Sequence, residues 1–220
     1  MNRPIRSYVL RQGRTTPAQQ RALEELLPRY GIAFSDRKIG SARRAPLVLE
    51  IGSGMGETTA AIAGAHPEAD FIAVEVHGPG VGSLLNRIVA EDLKNLRVVR
   101  HDALEVLEHM IADASLAAIH LFFPDPWPKK RHHKRRLVQP EFAALAARKL
   151  APRGIMHAAT DWPDYAEHMR GVFLAESLLE LCEVGFAARP VTKFESRGRR
   201  LGHPIRDLFF RRREKAPAAR

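Results

Sequence analysis

A doubly wound, mostly parallel α/β sheet in a single domain is the fold class this sequence predicts. Two observations carry it. From Pro46 onward, short apolar runs alternate with helix-compatible segments, and a glycine-rich turn closes the first of those runs. Strands that are apolar throughout, rather than alternately, are buried on both faces, and the helices between them supply the cover.

The first 45 residues are rich in Arg, Gly and Thr, apart from "TPAQQRALEELLPRY", where Thr16 and Pro17 open a short helix. Residues 1–45 are therefore expected as a basic arm, partly disordered around that helix, and residues 46–220 as the domain. "LVLEIG" is the first strand, followed by a glycine turn and the helix "ETTAAIAGA". "DFIAVEV" is the second strand, with its helix around "VGSLLNRIVAEDL". "LRVVR" and "ALEVLEHMIA" form the third pair, and "LAAIHLFF" and "QPEFAALAARKL" the fourth, ended by Ala151-Pro152-Arg153-Gly154. "GIMHAAT" is the fifth strand, and "DWPDYAEHMRGVF" starts the next helix. The last forty or so residues, with "PIRDLFFRRR", supply further strands, in an antiparallel sense.

Charge sets the class of partner. The net charge of +10 favours a polyanion, either nucleic acid or an anionic membrane surface. The cations cluster: Arg3, Arg6, Arg11, Arg14 and Arg21 without an acid among residues 1–21, then Lys129 to Arg136, then Lys193 to Arg213. No apolar run approaches the roughly 20 residues a bilayer span needs. The start "MNRPIRSYVL" has no long apolar core, so a cytoplasmic protein is expected. The single cysteine, Cys182, makes no internal disulfide and is expected as a small core residue. His132 and His133 are neighbours without a third ligand, so no metal is expected.

"LEIGSGMGE" sets Gly52, Gly54 and Gly56 at the carboxyl end of the first strand, where open parallel sheets bind ligands. Glycines there let the backbone approach a ligand and present N–H groups. Glu75, at the end of the second strand, suits the two hydroxyls of an adenosine ribose. The spacing is G-x-G-x-G, not the G-x-G-x-x-G of a dinucleotide site, and Glu50 just before it would repel a pyrophosphate. S-adenosylmethionine, with a sulfonium and an ammonium, fits better than NAD. Asp102, after the third strand, is placed to accept from the adenine amino group; by itself it reads equally as a helix cap. Asp125 completes a set of four acids at successive strand ends.

Asp125 lies in "FPDPWPKKRHHKRR", where prolines fix the backbone around the acid and Trp127. An acid and an aromatic ring suit methylation of an amine or ring nitrogen. Guanine N7 carries a free lone pair and needs alignment rather than a base, and the cation formed favours a nearby carboxylate. Trp127 would stack on the base or serve as a structural ring. The cations after it would grip phosphates without reading sequence. Thr192, Lys193 and Glu195 in "TKFESRG" suit a guanine edge, and Asp161 is either a further acceptor or the cap of the helix that follows.

The segments "LEIGSGMGE", "FIAVEVHGPGVGSLL", "NLRVVRHDALEVL", "LFFPDPWPKKRHHKRR", "ATDWPDYAEHM" and "RPVTKFESRGRRLGHPIRDLFFR" resemble those of the bacterial tRNA (guanine-N7)-methyltransferase family. The resemblance covers most of residues 47–212 and little of residues 1–45. It implies a Rossmann-like class I methyltransferase with a seven-stranded sheet, acting with S-adenosylmethionine on the variable-loop guanine (position 46) of tRNA. By that resemblance the cofactor is held by Glu50, Gly52, Gly54, Glu75, Asp102 and Asp125, with Asp125 also catalytic. The substrate contacts fall on Lys129, Asp161, Thr192, Lys193, Phe194 and Glu195. The RNA contacts fall on Arg131, His132, His133, Lys134, Arg135 and Arg136. Ser53 stands where the family varies, and the connection from Arg170 to Arg189 is shorter than usual. Two readings compete with it, an NAD-dependent oxidoreductase and a basic RNA-binding module with a vestigial pocket. The expected assembly is a monomer or homodimer, with no obligate protein partner.

Overall fold

The structure, a computed structural model, describes residues 7–8, 13–41, 43–190 and 204–214. Seven strands form one sheet in the order β3-β2-β1-β4-β5-β7-β6. Strands β1 (Leu47–Ile51), β2 (Asp70–Val74), β3 (Leu96–Val99), β4 (Leu116–Phe122) and β5 (Leu150–Thr160) are parallel. β7 (Arg206–Arg212) inserts antiparallel between β5 and the short β6 (Leu179–Leu181). The order reverses between β1 and β4, so the crevice of the sheet opens there.

Each face is covered as the apolar strands require. Leu49, Ile51, Ile119 and Leu121 pack under Phe142 and Ala146 of α6 (Pro140–Lys149) and under Tyr165, Met169 and Phe173 of α7 (Pro163–Ala175). The other face, with Val48, Phe71, Ala73 and Val98, packs under α3 (Glu57–Ala65) and α4 (Gly78–Ala90) through Ile62, Val81, Leu84 and Ile88. The basic arm contributes to that second layer. Thr16 and Gln19 close a reciprocal cap on α1 (Pro17–Arg21), which continues through a π turn (Ala22–Leu26) into α2 (Leu27–Tyr30). Its Ala22 is buried against α4. Residues 31–39 then cover open backbone through bridges from Gly31 to Val98 and from Ile39 to Ile111.

Four local details differ from the pattern in the sequence. The helix after β2 begins at Gly78, because Pro79 serves in its first turn. The helix after β3 is a single α turn, α5 (Ala103–Glu105), continued by a π turn (Val106–Met110). Residues 151–154 do not end a helix: β5 starts at Leu150, and a register shift between Leu116 and Ala118 absorbs Arg153 at φ 67°. Cys182 is no core residue; it is half-buried just after β6, its Sγ donating to the Val184 carbonyl at 3.6 Å.

Candidate active site

A cavity of about 220 Å³ opens at the carboxyl ends of the parallel strands. Its walls are Ile51 and Gly52 at the end of β1, Glu75 after β2, His101 and Asp102 after β3, and Phe122 to Asp125 at the end of β4 and beyond it. Three of the four acids singled out in the sequence, Glu75, Asp102 and Asp125, therefore share one cavity. Glu50 does not line it: the residue is buried at 3% exposure.

The glycine turn is shaped by main-chain geometry. Gly52 and Gly54 have φ of 73° and 55°, and a Cβ on either would meet nothing within 4 Å. Space is left above the turn, and no side chain would hold these angles without strain. Gly56 has another duty, since a Cβ there would come within 2.5 Å of Leu84 Cδ1 where α3 and α4 meet. The turn is tied to β2 by Glu75, whose Oε2 accepts from Gly54 N at 2.8 Å and whose Oε1 accepts from His77 N at 2.8 Å. Asp102 caps α5 by accepting from Leu104 N at 2.8 Å, so its capping role and its place in the cavity coexist.

Glu50 Oε1 accepts from Thr59 Oγ1 at 2.8 Å, while Oε2 is buried with no partner among the described residues. Burial pushes its pKa up to about 7 against the opposing Thr59 hydrogen bond, with help from the Glu75 charge. Glu50 is in register with His120, and His120 with His157, so polar side chains form a buried row across the sheet. Burial, reinforced by His157, holds His120 down to about 3, which keeps it neutral.

The loop after β4 is built differently. Phe123 and Trp127 adopt φ of 51° and 45° on either side of Asp125. Such backbone costs about 1–3 kcal/mol per residue and survives where surrounding contacts fix it. Asp125 reaches the surface, yet desolvation raises its pKa, opposed by the Arg135 charge. The Trp127 ring lies 3.8 Å from the Arg135 guanidinium, and its Nε1 donates to the Ser7 carbonyl at 3.1 Å. In this structure the ring is occupied by protein partners, in line with the structural alternative for Trp127.

The remaining expected residues separate into groups. Lys129, Arg131 and Lys134 are exposed, while His132, His133 and Arg135 are half-buried on the 3₁₀ turn Lys130–Arg135. Arg136 differs from its neighbours in the run: its side chain is 1% exposed and faces inward, where Asp164 and the Tyr165 ring receive its charge. Asp161 is half-buried and outside the cavity lining; the cap position of α7 is taken by Trp162 instead. Thr192, Lys193, Phe194 and Glu195 lie outside the described residues.

Several residues at the site were not read from the sequence in this role. His101 lines the cavity and stacks on Phe34 with ring centres 3.7 Å apart; its position next to Asp102 was the available signal. Ser7 and Tyr8 of the arm also line the cavity, without any local motif to announce it. Arg189, just before the undescribed stretch, pairs with both oxygens of Asp207 at 3.1 Å and lies 5.2 Å from the Phe123 ring centre. Burial would raise the Asp207 pKa, but hydrogen bonds from His157 and Arg189 bring it down to about 2.

Comparison with known proteins gives consistent matches. Residues 44–208 match the family described as "Putative methyltransferase". The tRNA (guanine-N(7)-)-methyltransferase of Nitrosomonas eutropha is 57% identical over 215 residues, covering 94% of this chain and 96% of its own. The tRNA (guanine-N(7)-)-methyltransferase of Nitrosospira multiformis is 53% identical over 98% of this chain and 97% of its own, so the likeness extends into residues 1–45, against expectation. Among solved structures, the precorrin-6y C5,15-methyltransferase of Geobacter metallireducens superposes with a TM-score of 0.53 at 11% identity over 88% of each chain, a likeness of fold.

Proposed function

The chain belongs to the tRNA (guanine-N(7)-)-methyltransferase family, and on that premise we propose that it methylates N7 of the variable-loop guanine of tRNA from S-adenosylmethionine, in the cytoplasm. The observation that carries this reading is the meeting of Glu75, Asp102 and Asp125 in one cavity beside an open glycine turn.

The residues present fit that cofactor. The unpartnered Glu50 Oε2 and the acids of the cavity suit a cationic ligand bearing hydroxyls, and the clear space above Gly52 and Gly54 admits close approach to their main chain. Glu75 and Asp102 would hold the ribose and adenine ends, and Glu50 would answer the positive charge. When bound, S-adenosylmethionine supplies an electrophilic methyl group on a sulfonium. The chain itself then has three tasks. Asp125, beside the crevice, stabilises the positive charge that N7 alkylation creates on guanine, and no base is needed because no proton leaves N7. Lys129, Asp161 and the run Thr192, Lys193, Phe194 and Glu195 would orient the guanine, which is a large part of the rate for a reaction limited by alignment. The exposed cations Arg131 and Lys134 would meet phosphates, assisted by His132, His133 and Arg135.

The test is direct. Unmodified tRNA transcript is incubated with the chain and methyl-labelled S-adenosylmethionine, and N7 products are mapped by aniline cleavage. Label at the variable-loop guanine is expected. Binding of tRNA without incorporation of label would reject the enzyme in favour of an RNA-binding module.

A further inference from the structure

We propose that Arg136 is a positioning residue for the Asp125 loop and not a contact to the RNA backbone. The proposal rests on the functional reading above for why that loop matters, and on geometry for the role itself. Arg136 closes a run of six Lys or Arg and two His over residues 129–136, and by composition it is indistinguishable from the others. Its environment sets it apart. The side chain is 1% exposed. Its Nε donates to the Pro126 carbonyl at 2.9 Å, and its Nη2 pairs with Asp164 Oδ2 and meets His133 Nε2 at 3.1 Å. The guanidinium lies 4.8 Å from the centre of the fully buried Tyr165 ring. A phosphate would have to break this set to reach the charge.

The loop needs such a support. Pro124, Pro126 and Pro128 have no N–H, so the stretch around Asp125 has little main-chain bonding of its own. Phe123 N is anchored to the Ala159 carbonyl at 2.8 Å, which fixes the entry. Beyond Asp125, the bond from Arg136 to Pro126 fixes the exit, next to the left-handed Trp127. Through Asp164 and Tyr165 the same guanidinium joins this exit to the start of α7, so the ends of β4 and β5 hold a common spacing. A planar fork is required: a lysine ammonium on its single stem would not serve the Pro126 carbonyl, Asp164 and the Tyr165 face together.

The experiment uses the full chain in a Trp162→Phe background, which leaves Trp127 as the sole tryptophan of the two. Arg136→Lys, Arg136→Met, Asp164→Asn and Arg131→Ala are compared. Trp127 emission and acrylamide quenching are read without ligand; kcat and the salt dependence of the tRNA Kd are read with it. Arg136→Lys is expected to shift the emission, increase quenching and lower kcat by up to about 10²-fold, and Arg136→Met, which removes the charge, to leave the tRNA Kd within about twofold with its salt slope unchanged. Asp164→Asn, at an exposed partner, is expected to reproduce the change more weakly and decides the matter should Arg136→Met fail to fold. Arg131→Ala is expected to do the opposite, with a shallower salt slope and unchanged emission. Unaltered emission in both Arg136→Lys and Asp164→Asn, or a shallower salt slope in Arg136→Met, overturns the proposal. Should the parent protein transfer no methyl group to tRNA, the functional reading fails, while the emission still decides whether Arg136 sets the loop.

Discussion

The two halves of the cavity rim are held by different means. In the half formed after β1, β2 and β3, main-chain N–H groups fix the acids: Gly54 and His77 donate to Glu75, and Leu104 donates to Asp102. In the half formed after β4, a main-chain bond from Phe123 N to the Ala159 carbonyl fixes the entry, and guanidinium groups hold the loop that follows. Arg136 holds Pro126, Arg135 covers Trp127, and Arg189 lies against Phe123. Main-chain partners come with the turn itself and survive most side-chain changes nearby. Side-chain partners come from elsewhere in the sequence and disappear one substitution at a time. Binding on the first half and chemistry on the second should therefore differ in sensitivity to mutation.

The largest effect tests the second half. Asp125→Ala is expected to lower turnover by about 10²–10³-fold, the range for removing one group aimed at developing charge, while tRNA affinity stays within a few-fold. Asp125→Asn, which keeps the shape and removes the charge, is expected to fall nearly as far. Single-turnover kinetics at saturating cofactor separates this from binding. A rate equal to the parent's would take Asp125 out of the chemistry and remove the contrast between the halves.

The same contrast explains what was legible in the sequence. The parallel strands and the glycine turn are readable because burial on both faces and positive φ leave local marks in composition. Glu75, Asp102 and Asp125 follow from their places at strand ends. The direction of each cation in the run 129–136 is not local: Arg136 turns inward because Asp164, 28 residues later, and Tyr165 receive it. The part of Ser7 at the cavity depends on Trp127, 120 residues away. Similarly, the cap of α7 passes from Asp161 to Trp162 because Thr160 Oγ1 accepts the Trp162 N–H at 3.2 Å and starts the turn one residue on.

Glu50, in β1 next to the first half but outside the cavity lining, has no main-chain donor among the described residues. Its pKa is pushed up to about 7, mainly by burial, so below that pH the free protein holds it protonated. A cationic ligand favours the ionised form, and binding then releases a proton. Affinity for S-adenosylmethionine is expected to rise with pH by up to about tenfold per unit below neutrality and to flatten above it. Calorimetry in two buffers of different ionisation enthalpy would count the proton, and Glu50→Gln should lose the dependence. A parent protein whose affinity is flat from pH 5 to 7 would mean that Glu50 is already ionised or plays no part in binding.

The smallest effect concerns the outward cations beside the second half. Lys130, Arg131 and Lys134 are exposed, whereas Arg136 is buried. Removing a cation that pairs with one phosphate should reduce the log–log salt slope of tRNA binding by up to about 0.9, a coefficient taken from duplex DNA. Replacing all three with Ala should therefore flatten the slope in proportion to the phosphates they neutralise and weaken binding most at low salt. Because screening lies behind the effect, the variant and the parent should converge as salt rises. Parallel lines instead would mean that the weaker binding came from shape or packing, and that the outward cations are solvated surface rather than phosphate partners.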